Sequence, residues 1–224
     1  MTKNLRIANM ALVLLLTIPG MAWAQQALIV QDGAAGDEAN ALTGLTAHLT
    51  TAGFTVTNNV GVPGSLVSFQ QVWDIRFNNT TPLSGSDITA YTGYLAGGGL
   101  LFVIGENNGF ATRNNSIATL VSSVGGGAIT VTTAANAETV LAPFTGPTPL
   151  ATVAFLAAGG VPLPPGRGTA ITRDAGNMAA SVLFAPGAML NAPAGNLILV
   201  FDINFLEPGE ADAKALAFTD NLIS

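Results

Sequence analysis

Acidic and carboxamide side chains stand directly behind the short apolar runs of this chain. Gln31-Asp32 follows Ala27-Leu28-Ile29-Val30, and Asn58-Asn59 follows Phe54-Thr55-Val56-Thr57. Arg76, Asn78 and Asn79 end the run that begins at Val72, Glu106-Asn107-Asn108 follows Leu100 to Gly105, and Asp202 and Asn204 follow Asn196 to Phe201. If those runs are parallel strands, their C-terminal ends point the same way, so Asp32, Arg76, Asn78, Glu106, Asn107, Asp202 and Asn204 converge on one sheet edge as a ligand-binding set. Gathered carboxylates repel anions and raise one another's proton affinity. Such a set suits a cation, a hydroxyl-rich neutral molecule or a partner's basic side chain, with Arg76 as internal counter-charge. The competing reading is local, because Asn and Asp also suit the turns and helix caps that leave strands. Asp74 and Arg76, two apart on one strand face, read as a structural ion pair.

Residue types exclude much else. The chain has no cysteine and one histidine, His48, so thiolate nucleophiles, disulfides, thiolate zinc sites, iron–sulfur clusters and His-based triads are absent. His48 flanks a leucine stripe and is expected to be solvated or bonded to backbone. No Asp-x-Asp-x-Asp-Gly loop, Walker A motif or Gly-x-Ser-x-Gly elbow occurs. At Asp32-Gly33-Ala34-Ala35-Gly36-Asp37-Glu38, Asp37 and Glu38 already occupy the positive helix end, which disfavours phosphate. Neither cofactor nor metal is expected. A formal charge of −6 argues against nucleic acid, whose binding depends on Lys and Arg.

Positioning these residues requires alternating strands and helices. Strands are expected at 27–31, 54–57, 72–77, 100–104 and 196–202, with helices at 37–52, 87–96, 112–124 and 209–223. Leu42, Leu45 and Leu49 mark one helix face, Ser84 and Asp87 have capping-box spacing, and Gly97-Gly98-Gly99 and Gly125-Gly126-Gly127 read as helix stops. Runs 100–104 and 196–202 are apolar on both faces and belong mid-sheet, covered by helices on both sides. Between 128 and 193 the alternation weakens to short strands near 128–133, 151–157, 168–173 and 180–185, expected as an antiparallel extension on one edge. With 224 residues and 49% hydrophobic composition, one domain over 25–224 is the default.

Ahead of it, Lys3 and Arg6 precede the apolar run Ala11 to Leu16 and the small-x-small triplet Ala22-Trp23-Ala24. That three-part pattern is a secretory signal peptide over 1–24, too short in its apolar run to span a bilayer. Cleavage would leave Gln25 first, Lys214 as the last remaining lysine and no transmembrane span. A bacterial periplasmic or secreted location follows.

The helix 87–96, Gly97-Gly98-Gly99, the strand 100–104 and Gly105-Glu106-Asn107-Asn108-Gly109 resemble the helix–strand–elbow of the class I glutamine amidotransferase-like superfamily. The ending Gly195-Asn196-Leu197-Ile198-Leu199-Val200-Phe201-Asp202, with its closing helix, is similar to the last strand and helix of non-catalytic members. The resemblance implies a three-layer, doubly wound, mostly parallel α/β sheet of flavodoxin-like type. Catalytic members carry a cysteine at the elbow centre, where this chain has Asn107, and no His-x-Glu pair follows. A carboxamide nitrogen has a delocalised lone pair and does not attack carbonyls. The leading expectation is a secreted, non-catalytic domain binding a small molecule, protein or surface partner at its strand-end crevice. The alternatives are a hydrolase using Asp32, Glu106 or Asp202, with or without a divalent cation, and a structural cell-surface or matrix protein.

Overall fold

The computed structural model describes residues 25–224, so the signal-peptide reading lies outside the described residues. The first half alternates as expected: β1 (Gln25–Gln31), α1 (Asp37–Thr51), β2 (Phe54–Val60), β3 (Gln71–Asp74), α2 (Gly85–Ala96), β4 (Leu100–Gly105) and α3 (Ala111–Ser123). Eight short strands follow: β5 (Thr132–Thr133), β6 (Ala137–Val140), β7 (Thr152–Ala154), β8 (Gly159–Pro162), β9 (Thr169–Ala170), β10 (Thr172–Arg173), β11 (Met178–Ala179) and β12 (Ser181–Phe184). The chain closes with β13 (Asn196–Phe201) and α4 (Ala213–Ile223).

One seven-stranded sheet runs β2-β1-β3-β4-β13-β12-β9, and the first five of these strands are mutually parallel. β12 and β9 add to one edge antiparallel, with Val182 opposite Leu199 and Ala170. Two three-stranded antiparallel sheets, β10-β6-β7 and β11-β8-β5, complete the inserted region. The described residues thus form a mixed α/β fold with a mostly parallel main sheet and four α-helices.

Alternate residues of β1 enter separate cores. Ala27 and Ile29 pack with Leu45 and Leu49 of α1 and Phe218 of α4. Leu28 and Val30 pack with Tyr91 and Leu95 of α2 and Ile117 of α3. Parallel strands buried on both faces must read as unbroken apolar runs, and β4 and β13 do. In the first core, the adjacent residues Trp73 and Phe102 stack with ring centroids 3.6 Å apart.

Helix ends follow the capping signals closely. Ser84 and Asp87 form the reciprocal capping box of α2, and the glycine stop works through Gly98, at φ 90°, whose N–H donates to Leu95. Several boundaries differ: β1 begins at Gln25 rather than 27, β2 runs to Val60 rather than 57, and α2 begins at Gly85 rather than 87; two further ends are set by a carboxylate. The third strand ends at Asp74 rather than 77, because the Asp74 carboxylate accepts from the Arg76 N–H and turns the backbone off the ladder. The last helix starts at Ala213 rather than 209, where Asp212 caps the Lys214 and Ala215 N–H groups at 2.8 Å. In the insertion, β6, β8 and β11 fall outside the expected strands.

Candidate functional site

The strand ends hold two clusters. The first is built on Asp74, wholly buried at the end of β3. Its Oδ2 accepts from the Arg76 guanidinium at 2.6 Å and from the Tyr91 hydroxyl at 2.8 Å, and its Oδ1 accepts from Arg113 at 3.1 Å. The two guanidinium groups outweigh burial and hold the Asp74 carboxyl below its ordinary range. Arg113, also fully buried, further donates to the carbonyls of Ile104 and Thr81. Arg76 reaches Asp87 at 3.4 Å. The Asp74–Arg76 ion pair expected from their spacing is present, and Arg76 is committed to it rather than open to a ligand.

The second cluster joins β4 and β13 to the insertion. Glu106, 3% exposed, accepts from the Ile203 N–H at 2.7 Å. Burial pushes its carboxyl up to about 8, with the nearby Asp202 charge adding to the effect. Asp202 is fully buried and accepts from the N–H groups of Leu156 at 2.6 Å, Ala157 at 3.0 Å and Asn204 at 2.8 Å. Burial raises its pKa despite those bonds. Asn107 donates to the Ala157 carbonyl at 3.3 Å and accepts from the Gly109 N–H at 2.9 Å. Asn114 of α3 ties the elbow down, donating to the carbonyls of Glu106 and Asn107.

Segment 155–158 therefore lies over the ends of β4 and β13. Gly159 follows it so closely packed that a Cβ there would strike the Glu106 carbonyl. The expectation that Glu106 and Asp202 are exposed crevice acids is corrected: the insertion covers them, and their oxygens are engaged by backbone N–H groups.

Other expected residues are placed nearer solvent. Asp32 is exposed at the end of β1, and its N–H donates to Glu38 at 2.8 Å. Glu38 is pushed up to about 8 by burial and by the adjacent Asp32. Asn78 is exposed and closes its own turn by accepting from Thr80, while half-buried Asn204 donates to Glu207. The exposed part of this edge comprises Asp32, Asp37, Asn78, Asn108 and Leu156, with half-buried Phe77 and Phe110 in contact at 5.6 Å between ring centroids.

Arg113 is not among the residues expected at the site, and Asn79 and His48 have roles that differ from those expected. Arg113 stands four residues before Ile117 on the buried stripe of α3, a spacing that could have marked it. Asn79, on a different loop, caps α3 by accepting from Thr112 and Arg113, which no local signal predicts. His48 is bound to the Asp220 carboxylate at 2.6 Å, across α1 and α4, rather than to backbone or solvent alone. Among the described residues no three His, Cys, Asp or Glu side chains are grouped to hold a metal. None of their helices is long and apolar enough to cross a membrane.

A cleft of about 490 Å³ lies on the opposite side, where Leu66 and Phe69 meet Ala90, Gly93 and Tyr94 of α2 and the glycines that precede β4. At the strand ends a hollow of about 200 Å³ lies between Leu156, Asn204 and Asp212.

No family model matches the chain, and no curated protein matches it in sequence. Solved structures do share its fold. The mmIFT52 N-terminal domain is 12% identical with a TM-score of 0.60, over 87% of this chain and 93% of that one. PurLQS from Thermotoga maritima is 11% identical with a TM-score of 0.54, over 89% and 98% of the two chains. The exo-beta-1,4-mannosidase Op5Man5 from Opitutaceae bacterium strain TAV5 is 12% identical with a TM-score of 0.52, matching 82% of this chain but 32% of its own. At these identities the likeness is one of fold alone, and it supports a distant amidotransferase-like α/β architecture.

Proposed function

We propose that this chain is a secreted or periplasmic, non-catalytic α/β domain that binds a partner through the C-terminal edge of its parallel strands. We read its sheet as doubly wound, since α1 and α4 pack on one set of alternate β1 residues and α2 and α3 on the other. The observation that carries the functional reading is the seating of segment 155–158 over the elbow. Asn107 stands where a nucleophile would be needed, and its carboxamide is spent on Ala157 and Gly109. Asp202 is spent on Leu156, Ala157 and Asn204. A carboxylate whose oxygens hold backbone N–H groups together is badly placed to polarise a water, which disfavours the hydrolase alternative.

What this edge offers is a surface rather than a cavity. The acids Asp32 and Asp37, the carboxamides of Asn78 and Asn108, and the Phe77–Phe110 pair with Leu156 suit a partner presenting basic and apolar side chains together. Because the chain lacks cysteine, Asn108→Cys creates a unique attachment point for a photo-crosslinker, and Gly64→Cys places the same group beside the opposite cleft. The reading expects one discrete adduct from position 108 with material from the secreting cells, lost when Asp32 and Asp37 are both changed to Lys. Equal adducts from both positions, or an adduct indifferent to the charge reversal, would sink it.

A further inference from the structure

β2 is the outermost strand of the main sheet, bonded to β1 on one side and to no described strand on the other. Open edges are ordinarily blunted by shortness, lysine, proline, a bulge or an inward charge. The opposite edge obeys this rule, since β9 has two residues. β2 does not: it runs for seven residues, Phe54-Thr55-Val56-Thr57-Asn58-Asn59-Val60, with no charge and no proline. It is the longest open edge among the described residues.

The direction of its free groups follows from one bond. The Gly61 N–H donates to Gln31 of β1, so by the alternation of a strand the N–H and C=O groups of Thr55, Thr57 and Asn59 face β1. Those of Phe54, Val56, Asn58 and Val60 face outward. Asn59 closes the far end, donating its side-chain amide to the carbonyls of Val60 and Gly61. Phe54 to Asn58 remain open.

We propose that β2 pairs antiparallel with β2 of a second copy of this chain, about a two-fold axis through Thr57, to continue the sheet across the dimer. With Thr57 opposite Thr57, that pair is the non-hydrogen-bonded kind, and Val56 exchanges both ladder bonds with Asn58 of the second copy, as the outward set requires. Thr55 then faces Asn59, and Phe54 faces Val60, which is 67% exposed in the single chain. Every cross-strand pair is neutral. A chain of formal charge −6 resists self-association over most of its surface, and an uncharged strand is where two copies approach without repulsion. The axis makes the interface isologous, so it closes at two copies and leaves no new edge.

The absence of cysteine makes the test direct. In a non-hydrogen-bonded antiparallel pair the Cα atoms stand about 4.5 Å apart, within disulfide reach. Thr57→Cys should give a majority of covalent dimer on mild oxidation of the purified protein. Thr55→Cys, exposed on the same strand, should stay monomeric, because its two copies are then roughly 14 Å apart at a rise of about 3.4 Å per residue. In sedimentation the unaltered protein should approach twice the single-chain mass as concentration rises. Thr57→Lys and Thr57→Glu should each remain single at the same concentration and pair on mixing. A single-chain mass at every concentration, or equal cross-linking from positions 55 and 57, would overturn the proposal.

Discussion

Asp74 and Arg113 meet 3.1 Å apart, and both are wholly excluded from solvent. One closes a strand and the other opens a helix, so the bond fastens α3 to the end of β3. Arg76 and Tyr91 complete the set around the same carboxylate. A buried charge set of this kind is costly to break, because removing one member strands the others without water.

Arg113→Met should therefore destabilise the fold by about 3–5 kcal/mol, read from the midpoint shift in urea at unchanged slope. Loss of the donors to Ile104 and Thr81 belongs to the same cost. A shift below about 1 kcal/mol would mean that water reaches Asp74.

Stability should fall as pH rises from about 4.5 to about 8. Burial raises Glu106 and Glu38 to about 8 and Glu138 to about 7, against an ordinary 4.5. The folded chain then holds protons that the unfolded chain has released, so the stabilisation is complete below 4.5 and is lost through 8. Each such carboxyl contributes a slope of up to about 1.4 kcal/mol per pH unit within that window. Asp74, held low, acts oppositely: its stabilisation is complete above its ordinary 3.8 and is lost progressively as pH falls below that. Urea midpoints across pH 4–9 check this, and Glu106→Gln should flatten the decline.

Asn107→Cys places a thiol at the centre of the β4–α3 turn and should release no ammonia from glutamine. His48, the one histidine, is bound to Asp220 between α1 and α4, so no imidazole is available to prime the thiol. The replacement also loses the bonds to Ala157 and Gly109 and should cost about 1–3 kcal/mol. Glutamine turnover above the unaltered protein would contradict the absence of a base.

Two helical glycines should respond in opposite directions to alanine. A Cβ at Gly44 of α1 would run into the Leu206 carbonyl and the Pro208 ring, whereas one at Gly93 of α2 meets nothing within 4 Å. Gly93→Ala should gain up to about 1 kcal/mol from helix propensity. Gly44→Ala should lose more than that through overpacking, about 1–3 kcal/mol. Thermal midpoints of the two variants decide it.

The 25–125 half was legible because its signals are local. Apolar runs of five or six residues, leucines at helical spacing, the Ser84–Asp87 box and the glycine stops each act within one turn or one strand. The same locality explains the misplaced ends at Asp74 and Ala213, where a single carboxylate decided the boundary. The site was legible in its membership and not in its exposure. Residue types placed Glu106 and Asp202 at strand ends, but nothing near them announces that the Leu156 and Ala157 N–H groups close on Asp202 from some forty-five residues away, or that the Ile203 N–H closes on Glu106.

By itself the sequence determined the alternation of strands and helices and the acidic, cysteine-free chemistry, because periodicity and composition are read from the residues themselves. Tertiary structure alone decided that segment 155–158 closes the strand ends, that Arg113 and Asn79 serve β3 and α3 from afar, and that Glu106 keeps its proton near neutrality. These depend on which distant backbone displaces water from a carboxylate. Desolvation is set by the packed whole, and no short window of sequence contains it.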